Sequence, residues 1–282
     1  MPFVLILSSQ VAASRVGGMA QVLALQPFKI DTALVPTVLF GRHPGWGPPG
    51  GAAVDASVMA GMLEGIEAQG LFAMTDAVIT GYFFSSAQVG VAAGAISRVR
   101  ASNPRARVVV DPVLGDEGRG LYVKPEVAAA VRDVLVPLAD LVAANRFELG
   151  WLLGEETPET PQAAAALARR LGKPALVSSV RNSGPRGPDE IGVLYVAMRE
   201  AWLALHPRAI SAPKGTGDVL TALFTAALIE GLEPEIALGR AVAGVAELVE
   251  AAMAWNAAEL PIVAAAQRLV SPSTPVRLQI LG

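Results

Sequence analysis

The chain has no cysteine. That absence removes disulfides, thiolate metal sites and a cysteine nucleophile, and it leaves the redox character of the compartment open. Charge imbalance is also slight: 22 Lys and Arg against 25 Asp and Glu give a net charge of −3 with no long basic run, which argues against nucleic acid and anionic membrane as partners. No positive charge precedes the short apolar run at the N-terminus, so a secretory signal is not expected and the cytoplasm is the expected location. No GxxxxGK[ST] run occurs, since Lys214 precedes its glycines, and Gly17-Gly18 after the first strand does not make a dinucleotide fingerprint. The uncharged stretch 77–97 approaches the ~20 residues of a bilayer span. Thr80-Gly81-Tyr82 and Ser85-Ser86-Ala87-Gln88 break it into a strand, a loop and a capped helix start. No internal repeat is visible.

What is present is apolar sequence in alternation. Hydrophobic residues make up 52% of the 282, enough for one sizeable core, and a single domain over 1–282 is the simplest organisation. Strands are predicted at 3–8, 33–40, 77–80, 107–111, 141–144, 175–179, 191–196 and 202–206. Helices are predicted at 18–26, 56–69, 86–101, 125–136, 147–153, 161–171, 217–230, 234–255 and 261–270. This alternation predicts an α/β fold with a central, mostly parallel sheet flanked by helices on both faces. The stretch 181–190 reads as a hairpin tip or a nucleotide-side loop. The Gly- and Pro-rich stretch 41–51 tolerates no regular element and suits a flap over a pocket.

Chemistry concentrates at Gly215-Thr216-Gly217-Asp218, which opens the apolar helix that follows. Glycines admit an oxyanion close to the backbone, and the unpaired amides and dipole of a helix start favour anions there. Asp218 would repel a phosphate, but as a general base it takes the proton of an attacking hydroxyl; the plainer alternative is a helix cap. Three further signals sit just past strand ends, where open α/β sheets bind ligands: Asp111-Pro112-Val113-Leu114-Gly115-Asp116 with Tyr122, Asn145-Arg146-Phe147-Glu148, and Gly81-Tyr82-Phe83-Phe84-Ser85. Asp111, Asn145 and Glu148 offer the oxygen ligands that magnesium prefers. Asn145 and Glu148 also have the spacing of a capping box. His206, before Pro207, reads as structural, whereas His43 lies in the flap and reads equally as a substrate contact or a loop residue.

In this order, the motifs resemble the pyridoxal kinase branch of the ribokinase-like family, over about residues 3–267. The resemblance implies a ribokinase-like three-layer fold, ATP and magnesium as cofactors, potassium activation, a homodimer, and phosphorylation of the 5'-hydroxymethyl group of pyridoxal. It implies Asp218 as base and Gly215, Thr216 and Gly217 as the anion hole. Asp111, Asp116, Tyr122, Asn145, Ser178 and Ser179 would contact ATP, a core hydroxyl being the equal alternative for Ser178 or Ser179, and Asp111, Asn145 and Glu148 would organise the metal. Ser9, Phe40, His43 and Tyr82, with Asp218, would contact substrate. The chain departs from the family pattern in its substrate loops, with Gln10 for His, Ala13 for Tyr or Arg, Gly18 for Asn, Pro44 for Thr and Trp46 for Tyr. Two lost neutral hydrogen bonds, at Gly18 and Pro44, would raise KM for pyridoxal by about fivefold to 150-fold unless Gln10, Arg42 or Trp46 compensates. Two other readings stay open: a kinase for another small alcohol such as a hydroxymethylpyrimidine or a sugar, and a ligand-binding homologue with weak catalysis. Pyrimidine kinases of the family usually carry Cys where Asp218 stands, which argues against that branch.

Overall fold

The computed structural model describes residues 1–182 and 190–281. Its strands are β1 (Phe3–Val11), β2 (Asp31–Phe40), β3 (Gly51–Ala53), β4 (Ala77–Thr80), β5 (Arg107–Val110), β6 (Gly115–Asp116), β7 (Gly120–Leu121), β8 (Leu141–Asn145), β9 (Ala175–Arg181), β10 (Glu190–Val196), β11 (Ala201–Pro207) and β12 (Arg277–Leu281). Its helices are α1 (Gly17–Leu25), α2 (Ala56–Ala68), α3 (Leu71–Met74), α4 (Ser86–Ser102), α5 (Pro125–Ala130), α6 (Arg146–Leu153), α7 (Pro161–Arg169), α8 (Thr216–Ile229), α9 (Pro234–Ala254) and α10 (Ala266–Val270).

Ten strands form one sheet in the order β12-β11-β10-β9-β8-β5-β4-β1-β2-β3. The run from β9 to β2 is parallel, and antiparallel pairs finish both edges. The central strands carry apolar side chains on both faces: Val4 and Ile6 pack with α1, α8 and α9, while Leu5 and Leu7 pack with α2, α4 and α5. A sheet covered on both faces is what such near-continuous apolar strands require. The parallel strands β1, β4, β5 and β8 therefore end along a common edge, and the loops leaving that edge carry the predicted chemistry.

Stretch 77–97 is β4 followed by α4, whose N-cap Ser85 and Gln88 form a reciprocal capping box, and no helix among the described residues is long and apolar enough to cross a membrane. Several boundaries differ from the sequence reading. The flap is not wholly irregular, because Pro44–Trp46 forms a single 3-10 turn and Gly51 begins β3, which pairs with β2. The helix predicted at 125–136 loosens into a wide π turn over Val131–Leu135, and that predicted at 261–270 is regular only in α10. β12, preceded by Pro272 and Pro275, and the two-residue strands β6 and β7 were not predicted; β11 supplies the ladder of β12, and β6 and β7 pair with each other in a hairpin. Arg181 and Glu190 end and begin an antiparallel pair, so the stretch between them joins β9 to β10, and residues 183–189 of it lie outside the described residues.

Candidate active site

One cavity of about 740 Å³ opens at the common strand edge, and all fifteen residues predicted for the site line it. Ser9 arrives from β1, Phe40 from β2, His43 from the flap, Tyr82 from the loop after β4 and Asp111 from the loop after β5. Asn145 and Glu148 come from the start of α6, Ser178 and Ser179 from β9, and Gly215 to Asp218 from the start of α8.

Gly215 has φ +94° and leads into α8, whose first turn holds Thr216, Gly217 and Asp218. A side chain at Gly215 would meet Arg15 O at 2.8 Å, so glycine is required there both for the left-handed backbone and for the close approach. Asp218 does not cap its own helix. Its Oδ2 instead accepts the N–H of Gly17 at 2.8 Å. Dense surrounding protein pushes its pKa up to about 6, against the pull of that hydrogen bond, so it is ionised at neutral pH and basic enough to take a proton. Gly17 is a site residue that sequence reading missed. Its φ is +58°, and a Cβ there would lie 2.1 Å from Ser9 Oγ. The Gly17-Gly18 pair after the first strand was the available signal.

The other carboxylates crowd together. Asp111 accepts from Thr221 Oγ1 at 2.7 Å; burial, then the charges of Glu148 and Asp218, raise its pKa well above its ordinary value. Burial likewise pushes Glu148 up to about 7, although three backbone N–H groups oppose the shift. The capping box anticipated for Asn145 and Glu148 is formed, with Asn145 Oδ1 accepting from Glu148 N and Glu148 Oε2 accepting from Asn145 N, both at 2.9 Å. Both residues also reach the β6–β7 hairpin: Leu114 N–H donates to Glu148 Oε1 and Asn145 Nδ2 donates to Gly115 O, each at 2.8 Å. Tyr122 donates a hydrogen bond to Asp116, and burial and that bond hold its hydroxyl protonated. The described residues hold no cluster of three His, Cys, Asp or Glu able to bind a metal. Mutual repulsion between Asp111 and Glu148 nevertheless fits a divalent cation held partly through water, which would offset their charge.

Lys214 and Arg119 enter the cavity, neither having been predicted. His43 Nδ1 accepts from Gly45 N at 2.9 Å, which leaves its proton on Nε2. Burial, then Lys214 and Arg119, lower its pKa and keep the ring neutral. Ser178 and Ser179 were predicted at a strand end but lie within β9. The register there passes from Val180 opposite Gly192 to Val177 opposite Leu194, a bulge with Ser179 at φ +61° that turns both serines to the cavity. His206 lies in β11, with Nδ1 2.9 Å from Pro207 O, away from the site.

The departures are arranged differently from the sequence reading. Gly18 does not line the cavity, and a Cβ at that position would meet Leu34 Cδ1 at 2.3 Å. Trp46 and Ala13 line a separate shallow groove with Arg15 and Pro261. Arg42 donates to Pro48 O at 2.9 Å and braces the flap. Among the departures, Pro44 alone sits on the cavity wall.

Residues 59–263 match the phosphomethylpyrimidine kinase family model. The chain is 36% identical to pyridoxal kinase PdxY of Rubrobacter xylanophilus over 98% of its own length and 96% of the relative's, and 35% identical to pyridoxal kinase PdxY of Leifsonia xyli over 99% of each. Among solved structures, Leishmania donovani pyridoxal kinase in complex with ADP and pyridoxine superposes with a TM-score of 0.90 at 25% identity, covering 99% of both chains. With the ribokinase-like architecture, the full-length relatives and a cavity that gathers these motifs in one place, the chain belongs to the pyridoxal kinase family of ATP-dependent small-molecule kinases.

Proposed function

We propose that the protein transfers the γ-phosphoryl group of ATP to the 5'-hydroxymethyl group of pyridoxal, giving pyridoxal 5'-phosphate and ADP, with Asp218 as general base. The observation that carries this reading is that Asp218 stands in the first turn of α8, beside Gly215 to Gly217, in the same cavity as Ser9, Phe40, His43 and Tyr82.

Substrate lies on the side of Ser9, Phe40, His43 and Tyr82, with its hydroxymethyl group directed at Asp218. Asp218, oriented by the Gly17 N–H, takes the hydroxyl proton as the oxygen attacks the γ-phosphorus and the bond to the β-phosphate oxygen breaks. The amides at the start of α8 and the cations Lys214 and Arg119 stabilise charge on the transferring group. Neutral His43 offers its Nε2–H to the substrate. Asp116, Tyr122, Ser178 and Ser179 position the nucleotide. Asp111, Asn145 and Glu148 would hold magnesium directly or through water, and the ion would neutralise phosphate charge. Potassium activation and a homodimeric state belong to the same proposal, resting on family resemblance, and a cytoplasmic location is proposed with them.

ADP release coupled to a reporter, measured across pyridoxal, pyridoxine, pyridoxamine, hydroxymethylpyrimidine and ribose, tests the assignment. Pyridoxal is expected to give the highest kcat/KM. A higher value for hydroxymethylpyrimidine would transfer the assignment to that substrate, a reading that the matched family model keeps in view.

A further inference from the structure

Arg146 is the largest fully buried side chain among the described residues, only 2% exposed. It is also in an unfavourable place. It occupies the first position of α6, where the helix dipole is positive and a cation is disfavoured. A buried guanidinium at that position needs a partner that justifies it. Nη1 donates to Pro158 O at 2.6 Å, and Nη2 donates to Glu117 Oε2 at 2.7 Å. That same Glu117 oxygen accepts from Arg181 Nη2 at 2.9 Å, so one carboxylate is held by guanidinium groups from α6 and β9.

Glu117 lies in the turn of the β6–β7 hairpin, between Asp116 and Gly118. Two strands of two residues each cannot hold themselves in water. The base of the hairpin is fixed by Asn145 on Gly115 O and by Glu148 on Leu114 N. Its tip is fixed by Glu117. Asp116, Arg119 and Tyr122 face the cavity, whereas Glu117 does not line it.

We infer that Arg146 is a positioning residue for the nucleotide: through Glu117 it locks the hairpin tip so that Asp116, Arg119 and Tyr122 face the ATP phosphates. The inference rests on the kinase reading above. Pro158 O and Glu117 require two nitrogens set in a fork, so lysine is not an equivalent residue here.

The test compares Glu117→Gln, Arg146→Met and their double variant in the full-length chain. Initial rates are measured with ATP and pyridoxal each varied, alongside thermal melting and ADP titration by calorimetry. Glu117 is partly exposed, so its variant keeps the test interpretable if Arg146→Met fails to fold. Glu117→Gln is expected to raise KM for ATP and Kd for ADP by at least about tenfold, because it weakens the charge-assisted hydrogen bonds from both Arg146 and Arg181. KM for pyridoxal should stay within about twofold. The double variant should be no worse than the worse single one, because both changes break the same contact. Glu155→Gln, which breaks the outlying Arg170–Glu155 pair, should change neither KM. The inference is overturned if both KM values rise together, or if ADP affinity holds while only the melting temperature falls. A wild-type enzyme that binds ADP but does not phosphorylate pyridoxal would remove the substrate assignment and leave the ADP comparison intact as a test of Arg146.

Discussion

Asp218 carries the heaviest demand of any single residue. Its carboxyl group titrates near 6 because surrounding protein disfavours its charge, and the Gly17 N–H offsets only part of that cost. A base must be ionised to act, so kcat/KM for pyridoxal should fall as pH drops through about 6, with the slope of a single proton. Asp218→Asn keeps the shape and removes the proposed base. It should lower kcat by about 10² to 10⁴ while ADP still binds, and near-normal turnover in that variant would remove Asp218 from the base role. Pro44 poses a narrower question. With Gly18 off the cavity wall and its would-be side-chain space filled by Leu34, the expected loss of two substrate hydrogen bonds reduces to one, at Pro44. Pro44→Thr is therefore expected to lower KM for pyridoxal by about two- to thirteenfold, the value of one neutral hydrogen bond. Initial-rate kinetics check this, and an unchanged KM would mean that the flap has already replaced the contact.

At the scale of elements, the long periodic segments were readable because local chemistry and packing agree. Ser85 caps α4 with Gln88 as its reciprocal partner, and β1 is apolar on both faces because helices cover both faces. What was not readable depends on distant partners. β12 exists because β11 offers it an edge, and the β6–β7 hairpin exists because the start of α6 grips it. Ser178 and Ser179 were assigned to the site from sequence, yet the bulge that turns them inward depends on register with β10. Arg119 and Lys214 were missed for a related reason: isolated cations have no spacing signal, and only the fold shows that they share a wall with His43. Glu148 joins two elements and is expected to serve both. Glu148→Gln would remove the charged ligand proposed for magnesium and turn one acceptor into a donor facing a backbone N–H, so the magnesium concentration for half-maximal rate should rise severalfold. A magnesium titration that superimposes on wild type would confine Glu148 to holding α6 and the hairpin together.

For the molecule as a whole, the site opposes the stability of the fold that builds it. Burial raises Glu148 to about 7 and Asp218 to about 6, and burial with neighbouring charge raises Asp111 well above its ordinary value. A carboxyl group whose pKa is higher in the folded state than in the unfolded chain contributes stability that is complete below about pH 4 and is lost as pH rises through its folded value. Between about pH 5 and 8 the chain therefore accumulates unfavourable charge at one end of the sheet, inside a cavity that the core cannot close. A divalent cation bound there competes with protons for the same oxygens and relieves that repulsion most when the groups are ionised. Magnesium should accordingly raise the melting temperature more at pH 8 than at pH 5.5, and Glu148→Gln should narrow the difference between the two. Thermal melts at fixed ionic strength, with and without magnesium, make the comparison. An equal shift at both pH values would show that the ion binds away from these carboxylates, and the metal role proposed for Asp111, Asn145 and Glu148 would fall with it.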